Sequence, residues 1–470
     1  MAHTTPQRWH LNDLARALNV QPLATNQPIH GISIDTRALQ PGDLYIAIKG
    51  EAHDGHAFVA DAFAKGAAAA LVNDHFDVSM SDGICLKVPN TLIALQQLGI
   101  FIRQQSPATI IAVTGSAGKT TTKEILKHIL QTFGKTVVSK ASFNNHWGVP
   151  LSLIDLTPDT DFGVFEVGMN HSGEIAPLSK IISPHIAIIT TIAEAHIGYL
   201  GSIEAIATEK SMVFEGLNGE GNYANGIAIL NADMPCVDLI QARATPYQQI
   251  MCSVKYPSDV HVVHIECHSG ISHVTAYIFG MIITYTLSMV GMHYVQNTLL
   301  ALAACHALGV DLTRAAQALS TFALPNGRGV THHLALSETI SIQLIDDAYN
   351  ANPASMKAGL MTLADMKKIR RIAVLGEMLE LGDAAPIYHR AIVDTIEATD
   401  IDLVFCAGEQ MRHLYEVLPP HKQGAFAHEA KDLIPSLNAI ITDTDVIYIK
   451  GSKGSKVSLI VDHFIHLSKN

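Results

Sequence analysis

The stretch from Ile110 to Thr122, IIAVTGSAGKTTT, constrains what this chain can fold into more than any other. An apolar, β-branched run opens it and reads as a buried parallel strand. A loop of small residues follows. Lys119 and Thr120 then open a helix on which Ile125, Leu126, Ile129, Leu130 and Phe133 recur at helical spacing. Strand, small-residue loop and helix N-terminus together make an anion site. Successive backbone N–H groups and the helix dipole converge on one spot, and glycine lets the main chain approach phosphate oxygens closely. In such a loop Thr114, Gly115, Ser116, Ala117, Gly118 and Thr121 wrap a nucleotide's phosphates, Lys119 reaches the terminal ones, and the Thr120 hydroxyl ligates Mg2+. The full pattern asks for a glycine five residues before Gly118, where Val113 stands, so the form present is the shorter T-G-x-x-G-K-T-T. An ordinary strand-to-helix turn explains the strand and the helix but not the Lys-Thr pair.

A loop of this kind sits on a parallel sheet, and the flanking sequence supplies the other strands. Residues 162–168 read as a second buried strand with Glu166 near its end. Residues 185–191 read as a third, followed by Glu194-Ala195-His196. Ligands of parallel sheets bind beyond the strands' carboxyl ends, where Thr120, Glu166 and His196 all fall. Glu166 is therefore a candidate Mg2+ ligand, since hard oxygen donors suit that ion. Taken singly, such an acid is more often a cap or an ion-pair member. Residues 143–150 form an amide-rich loop containing Asn144 and Asn145. Lys210 lies in a helix spanning about residues 202–215, and a lone helical lysine is usually solvated. Alternating stretches at 260–264 and 282–287 predict an antiparallel extension of the sheet. Asn297, on a later helix, either reads a base edge or packs.

At 470 residues the chain has room for two or three domains. Residues 1–105 read as a small separate α/β unit with a helix over 11–18, the stretch Ile32–Arg37 before a Pro-Gly-Asp turn, and strands over 44–48 and 67–72. Its loops carry Arg37, Lys49 and His56, which hold a diphosphate or sugar or else form a solvated rim. Ser106-Pro107 marks the entry to a central domain, residues 106–325. Beyond Arg328, residues 326–470 repeat the strand–helix alternation without a Gly-Lys-Thr loop of their own. The fold class is thus α/β: three domains, with a central, mostly parallel sheet of the phosphate-loop type flanked by a small N-terminal unit and a C-terminal Rossmann-like one.

Composition excludes other classes. The formal charge of −12 argues against general nucleic-acid binding. No apolar run reaches membrane-spanning length, and Met1–Pro6 lacks a basic, apolar leader. Six cysteines without C-x-x-C spacing suggest buried free thiols in a reducing cytoplasm.

Several multi-residue motifs occur in a fixed order. They are Asp35-Thr36-Arg37 with Pro41–Leu44, Lys49-Gly50-Glu51 with Asp54-Gly55-His56, Thr114–Thr120, and Asn144–Leu151. Further on come Glu166–Ile175, Glu194–His196, Asp346–Pro353, and Gly376–Gly382 followed by His389. In this the chain resembles the Mur ligases of bacterial peptidoglycan synthesis over nearly its whole length. It is most similar to the branch that adds D-alanyl-D-alanine to UDP-N-acetylmuramoyl-tripeptide through an acyl phosphate. The resemblance implies a UDP-sugar-binding first domain, an ATP-binding second and a third that completes the site, in a cytoplasmic monomer with no membrane insertion. It implies that Lys119 steadies the γ-phosphate and that Thr120 and Glu166 hold one Mg2+. His196 and a carbamylated Lys210 would hold a second. Asn297, Arg328 and Asp347 would meet the nucleotide; Thr36, Arg37, Lys49, His56, Asn144, Asn145, Asn350 and Asn352 would meet the substrates. Two positions depart from the family. Ser211-Met212 follows Lys210 in place of small residues, and Lys453 replaces an arginine. The rivals are the ligase for the third residue of the peptide, whose D-N-P-R motif is missing here, folylpolyglutamate synthetase, and a phosphate-loop switch or motor.

Overall fold

The apolar run before the small-residue loop folds into the strand Thr109–Thr114, between the parallel strands Ile186–Ile189 and Phe162–Glu166. Ile110 and Ala112 face one apolar cluster while Ile111 and Val113 face another. Both faces are dry, which is why the run is continuous instead of alternating. The computed structural model describes residues 8–50, 53–140, 142–219, 223, 225–268, 270–366 and 370–469. Met1–Pro6 and Glu51, used above, lie outside them.

The central sheet has nine strands in the order Thr136–Val138, Phe162–Glu166, Thr109–Thr114, Ile186–Ile189, Ile227–Asn231, Gln248–Ser253, Val260–His268, Ile271–Ile278, Met281–Leu287. Pairing is parallel as far as Val260–His268, and the last two strands add the antiparallel extension that the alternation predicts. Helices Lys119–Leu130 and Met292–Ala307 cover one face. On the first of these, Ile125, Leu126, Ile129 and Leu130 are fully buried, each contributing about 1.5–3 kcal/mol. The helix carrying Lys210 is shorter than the sequence suggests. It runs Ile203–Ser211 and continues as a 3-10 turn, Met212–Gly216. There Ser179 Oγ donates to the Val213 carbonyl at 2.5 Å and Gly216 lies against the Ser179 backbone.

The first module is a four-stranded parallel sheet, Ile32–Ser33, Leu44–Ile46, Ala69–Asn73 and Cys85–Val88. Beyond its first strand the Asp35 carboxylate accepts from Arg37 N at 2.9 Å and turns the chain. Leu11, Leu14, Leu44 and Leu71 share one apolar cluster with Ile110 and Phe165, so this module and the central sheet have a continuous core. The third sheet runs Val330–Ala335, Ser341–Asp347, Val446–Lys450, Arg371–Gly376, Leu403–Ala407, Gln423–Ala427, parallel except for its first strand.

Cys252, Cys305 and Cys406 are buried free thiols, as the scattered cysteines predict; Cys267 is exposed instead, at the open end of the antiparallel extension. Among the described residues no helix is long and apolar enough to cross a membrane.

Candidate active site

The small-residue loop is braced by the end of a neighbouring strand. Ser116 N donates to the Thr191 carbonyl at 2.8 Å, and Ser116 Oγ donates to Ala193 O at 3.0 Å. Two glycines are required by geometry. Gly118 has φ +84°, and a Cβ there would stand 2.6 Å from Asn297 Oδ1; at Gly115 (φ +147°) it would collide with Thr190 Oγ1. The helix starts at Lys119, so the first-turn amides have no acceptor within the helix and open toward the loop.

Lys119 Nζ donates to Gly115 O at 2.7 Å, folding the side chain under the loop. Burial pushes its ammonium below the usual range, while Glu166 opposes that shift. Thr120 Oγ1 donates to Glu166 Oε2 at 2.8 Å, and Asn144 Nδ2 donates to Oε1 at 2.9 Å. The first-turn hydroxyl of the helix and the strand-end carboxylate thus stand side by side. Among the described residues no three His, Cys, Asp or Glu side chains are gathered as a metal cage. Two hard oxygen donors with space beside them fit Mg2+, which keeps several waters and takes phosphate oxygens as ligands.

His196 has a left-handed backbone (φ 62°), and its Nδ1 lies 2.5 Å from Glu380 Oε2 of the third module. The ring beside it holds the Glu380 carboxyl below its usual range. Lys210 is buried, not solvated as a lone helical lysine usually is. Burial pushes its ammonium well below the ordinary range. The charge of Lys119 adds to the shift, and Glu209 and Glu166 oppose it.

The third module closes the other side. Asn352 Nδ2 donates to Ser116 O at 3.2 Å, and Ser142 Oγ meets the Tyr349 hydroxyl. Between the modules lies a cavity of about 850 Å3, the size of a nucleotide-class pocket. Residues 116–121, Asn144, Asn145, Glu166, His196, Asn297, Arg328, Asp347, Asn350 and Asn352 all line it. Arg328 stacks on Tyr349 at 4.4 Å, and Asp347 accepts from Tyr448 Oη (2.7 Å) and Lys450 Nζ (2.6 Å). Asn145 Oδ1 accepts from Gly148 N, Asn350 Oδ1 from Ala351 N, and Asn352 Oδ1 caps the helix Pro353–Ala364.

Seven of the candidates do not line the cavity: Thr114 and Gly115, at the strand end just before the lining part of the loop, Lys210, which is buried apart from it, and four residues of the first module. Thr36, Arg37, Lys49 and His56 follow the carboxyl ends of the first sheet and do not line this cavity. Arg37 is paired with Asp35 at 2.7 Å, an exposed contact that takes the Asp35 carboxyl down to about 2. Lys65, and after it Thr36, hold the Asp61 carboxyl below its usual range. His56 Nε2 accepts from Asn73 N at 3.0 Å, which places the proton on Nδ1, facing Asp54 at 2.6 Å.

Sequence reasoning missed His293, Tyr349, Glu380 and Lys450. His293 lines the cavity, and burial lowers its imidazole to about 4 against the pull of Asp347. Its position four residues before Asn297, hence on the same helix face, was a usable signal.

Models of the Mur ligase middle domain, of the Mur ligase glutamate ligase domain and of the Mur ligase family catalytic domain match residues 113–305, 335–453 and 28–130. The UDP-N-acetylmuramoyl-tripeptide–D-alanyl-D-alanine ligase of Rickettsia prowazekii is 32% identical over 469 residues, covering 97% of this chain and 99% of that protein. The enzyme of the same name from Bacillus subtilis is 33% identical over 461 residues, with 97% of each chain covered. The crystal structure of MurF from Acinetobacter baumannii superposes with a TM-score of 0.88 at 29% identity, covering 98% of this chain and 100% of that one. Escherichia coli FolC shares the fold alone, with a TM-score of 0.57 and 18% identity over 78% of this chain and 92% of its own.

Proposed function

The chain belongs to the Mur ligase family, and from that premise we propose that it joins D-alanyl-D-alanine to UDP-N-acetylmuramoyl-tripeptide, driven by ATP, in peptidoglycan synthesis. The observation that carries this reading is the meeting of two modules over the phosphate loop, with Asn352 on Ser116 O and Tyr349 on Ser142. A nucleotide held by the loop then faces a second module able to present an amine, an arrangement that nucleotide hydrolysis alone does not need.

A carboxylate is a poor electrophile. In the proposed reaction one of its oxygens attacks the γ-phosphorus and ADP departs, leaving an acyl phosphate. The dipeptide nitrogen then attacks the carbonyl carbon, phosphate leaves with the carboxylate oxygen, and the nitrogen loses its proton to solvent. The work asked of the protein is positioning and charge compensation. Lys119 and the first-turn amides hold the γ-phosphate; Asn297, Arg328 and Asp347 hold the nucleoside side. Asn144, Asn145, Asn350 and Asn352 shape the wall where the acid and amine meet. Thr120 and Glu166 would hold one Mg2+, and His196 with a carbamylated Lys210 would hold a second; bound there, the ions would supply charge neutralisation on the transferring oxygens. Burial shifts Lys210 toward its neutral amine, the form that adds to CO2: the nitrogen bonds the carbon and releases a proton, giving a carbamate whose oxygens can hold a metal. Residues 1–105, with Thr36, Arg37, Lys49 and His56, take the UDP-sugar; residues 106–325 take ATP; residues 326–470 close over it. Free thiols and a nucleotide-linked substrate suit the reducing cytoplasm.

Phosphate release measured with ATP and Mg2+ tests this. Release is expected only when UDP-N-acetylmuramoyl-tripeptide and D-alanyl-D-alanine are both present. Release indifferent to the dipeptide would mark a switch or hydrolase and end the ligase reading.

A further inference from the structure

His196 belongs to the central module and Glu380 to the third, and the two meet where backbone conformation is unusual on both sides. His196 (φ 62°), Glu380 (φ 66°) and Gly382 (φ 58°) all lie in the left-handed region, which disfavours residues bearing a Cβ. The modules touch there main chain to main chain. Gly198 N donates to Glu380 O at 3.1 Å. A Cβ on Gly198 would stand 2.4 Å from Gly382 N, and one on Gly382 would stand 2.8 Å from Gly198 Cα. Only glycine fits on either side.

The loop that presents Glu380 is fixed from behind. His389, itself buried, accepts from Met378 N at 2.9 Å, and Ser452 Oγ accepts from Leu379 N at 3.0 Å. Within this dock His196 Nδ1 is 2.5 Å from Glu380 Oε2, although the ring N–H is not aligned on the oxygen and Nδ1, buried, has no other acceptor. With Nδ1 turned to Glu380, the nitrogen left for the cavity is Nε2. A carboxylate on one ring nitrogen fixes the tautomer and the orientation of the other.

We propose, resting on the ligase reading above, that Glu380 is a positioning residue: its carboxylate sets the His196 ring so that Nε2 serves the metal and phosphate side of the cavity. The Gly198–Gly382 backbone contact is what delivers it. The central module alone therefore carries an unfinished site, completed when the third module docks.

The test uses the full chain with Glu380→Gln, Glu380→Asp and Gly198→Ala. Mn2+ is the probe, read by its electron spin resonance in the presence of ADP. Glu380→Gln is expected to weaken Mn2+ binding about 10–100-fold and to lower kcat by a similar factor, with KM for the UDP-tripeptide within about twofold. Glu380→Asp is expected to restore part of both. Gly198→Ala, which separates the modules and leaves both side chains intact, should show the same Mn2+ loss with a larger radius of gyration in solution scattering. Mn2+ affinity in Glu380→Gln within about twofold of the parent, or a loss that Gly198→Ala does not reproduce, would overturn the proposal. The Mn2+ arm needs no turnover. A parent protein that binds Mn2+ and ADP but forms no amide would therefore sink the ligase reading and still decide the role of Glu380.

Discussion

Lys119→Met is expected to lower kcat for amide formation by roughly 10^3-fold, about 4 kcal/mol of barrier. The ammonium lies under the phosphate loop at a helix N-terminus, 2.7 Å from Gly115 O. Glu166 is near enough to oppose the fall of its pKa. It is the one cation that the loop itself carries to the transferring phosphoryl group. Methionine keeps the aliphatic stem and removes the charge, so the loss reports electrostatics and not a collapsed loop. Steady-state kinetics checks it, with the thermal unfolding midpoint as the control for folding. Parent-like kcat in a folded variant would take Lys119 out of the chemistry.

Lys210→Ala should cost at least roughly 10^2-fold in kcat, and a short carboxylic acid such as acetate or formate should return part of the activity. Lys210 forms no part of the cavity wall, yet it is buried and its charge couples to Lys119 and Glu166. A buried ammonium is costly. Its neutral form is the reactant that carbamylation needs, and the resulting carboxylate is what a small acid would imitate in the alanine variant. Full activity without any acid would make Lys210 a structural residue.

How far the site could be read from the chain depends on which contacts are local. The loop was legible because its strand, glycines and Lys-Thr pair follow one another within residues 109–121. Glu166 was legible because it ends a parallel strand, and His196 because it lies in the loop that follows one. Thr120 Oγ1 does stand 2.8 Å from Glu166 Oε2. Lys210 was not legible from its helix, since no local pattern separates a buried lysine from a solvated one; only the family resemblance singled it out. Glu380 was hidden for a similar reason: its partner His196 is far off in sequence and in another module. Asn352 could be read as polar but not as the strut that both caps a helix and reaches Ser116 O. The stretch 32–37 carried no clear element in sequence, and it holds only the short strand Ile32–Ser33 before Asp35 turns the backbone. The first module appeared self-contained in sequence, but its leucines complete an apolar cluster shared with the central sheet.

The central claim is that ATP phosphorylates an acid at this loop before an amine displaces the phosphate. Following oxygen tests it most directly. The UDP-tripeptide is labelled with 18O in the carboxylate that becomes the amide, and it is turned over with ATP, Mg2+ and D-alanyl-D-alanine. The account predicts inorganic phosphate carrying one labelled oxygen for each amide bond formed. Amide formation with unlabelled phosphate, its fourth oxygen drawn from water, would contradict it.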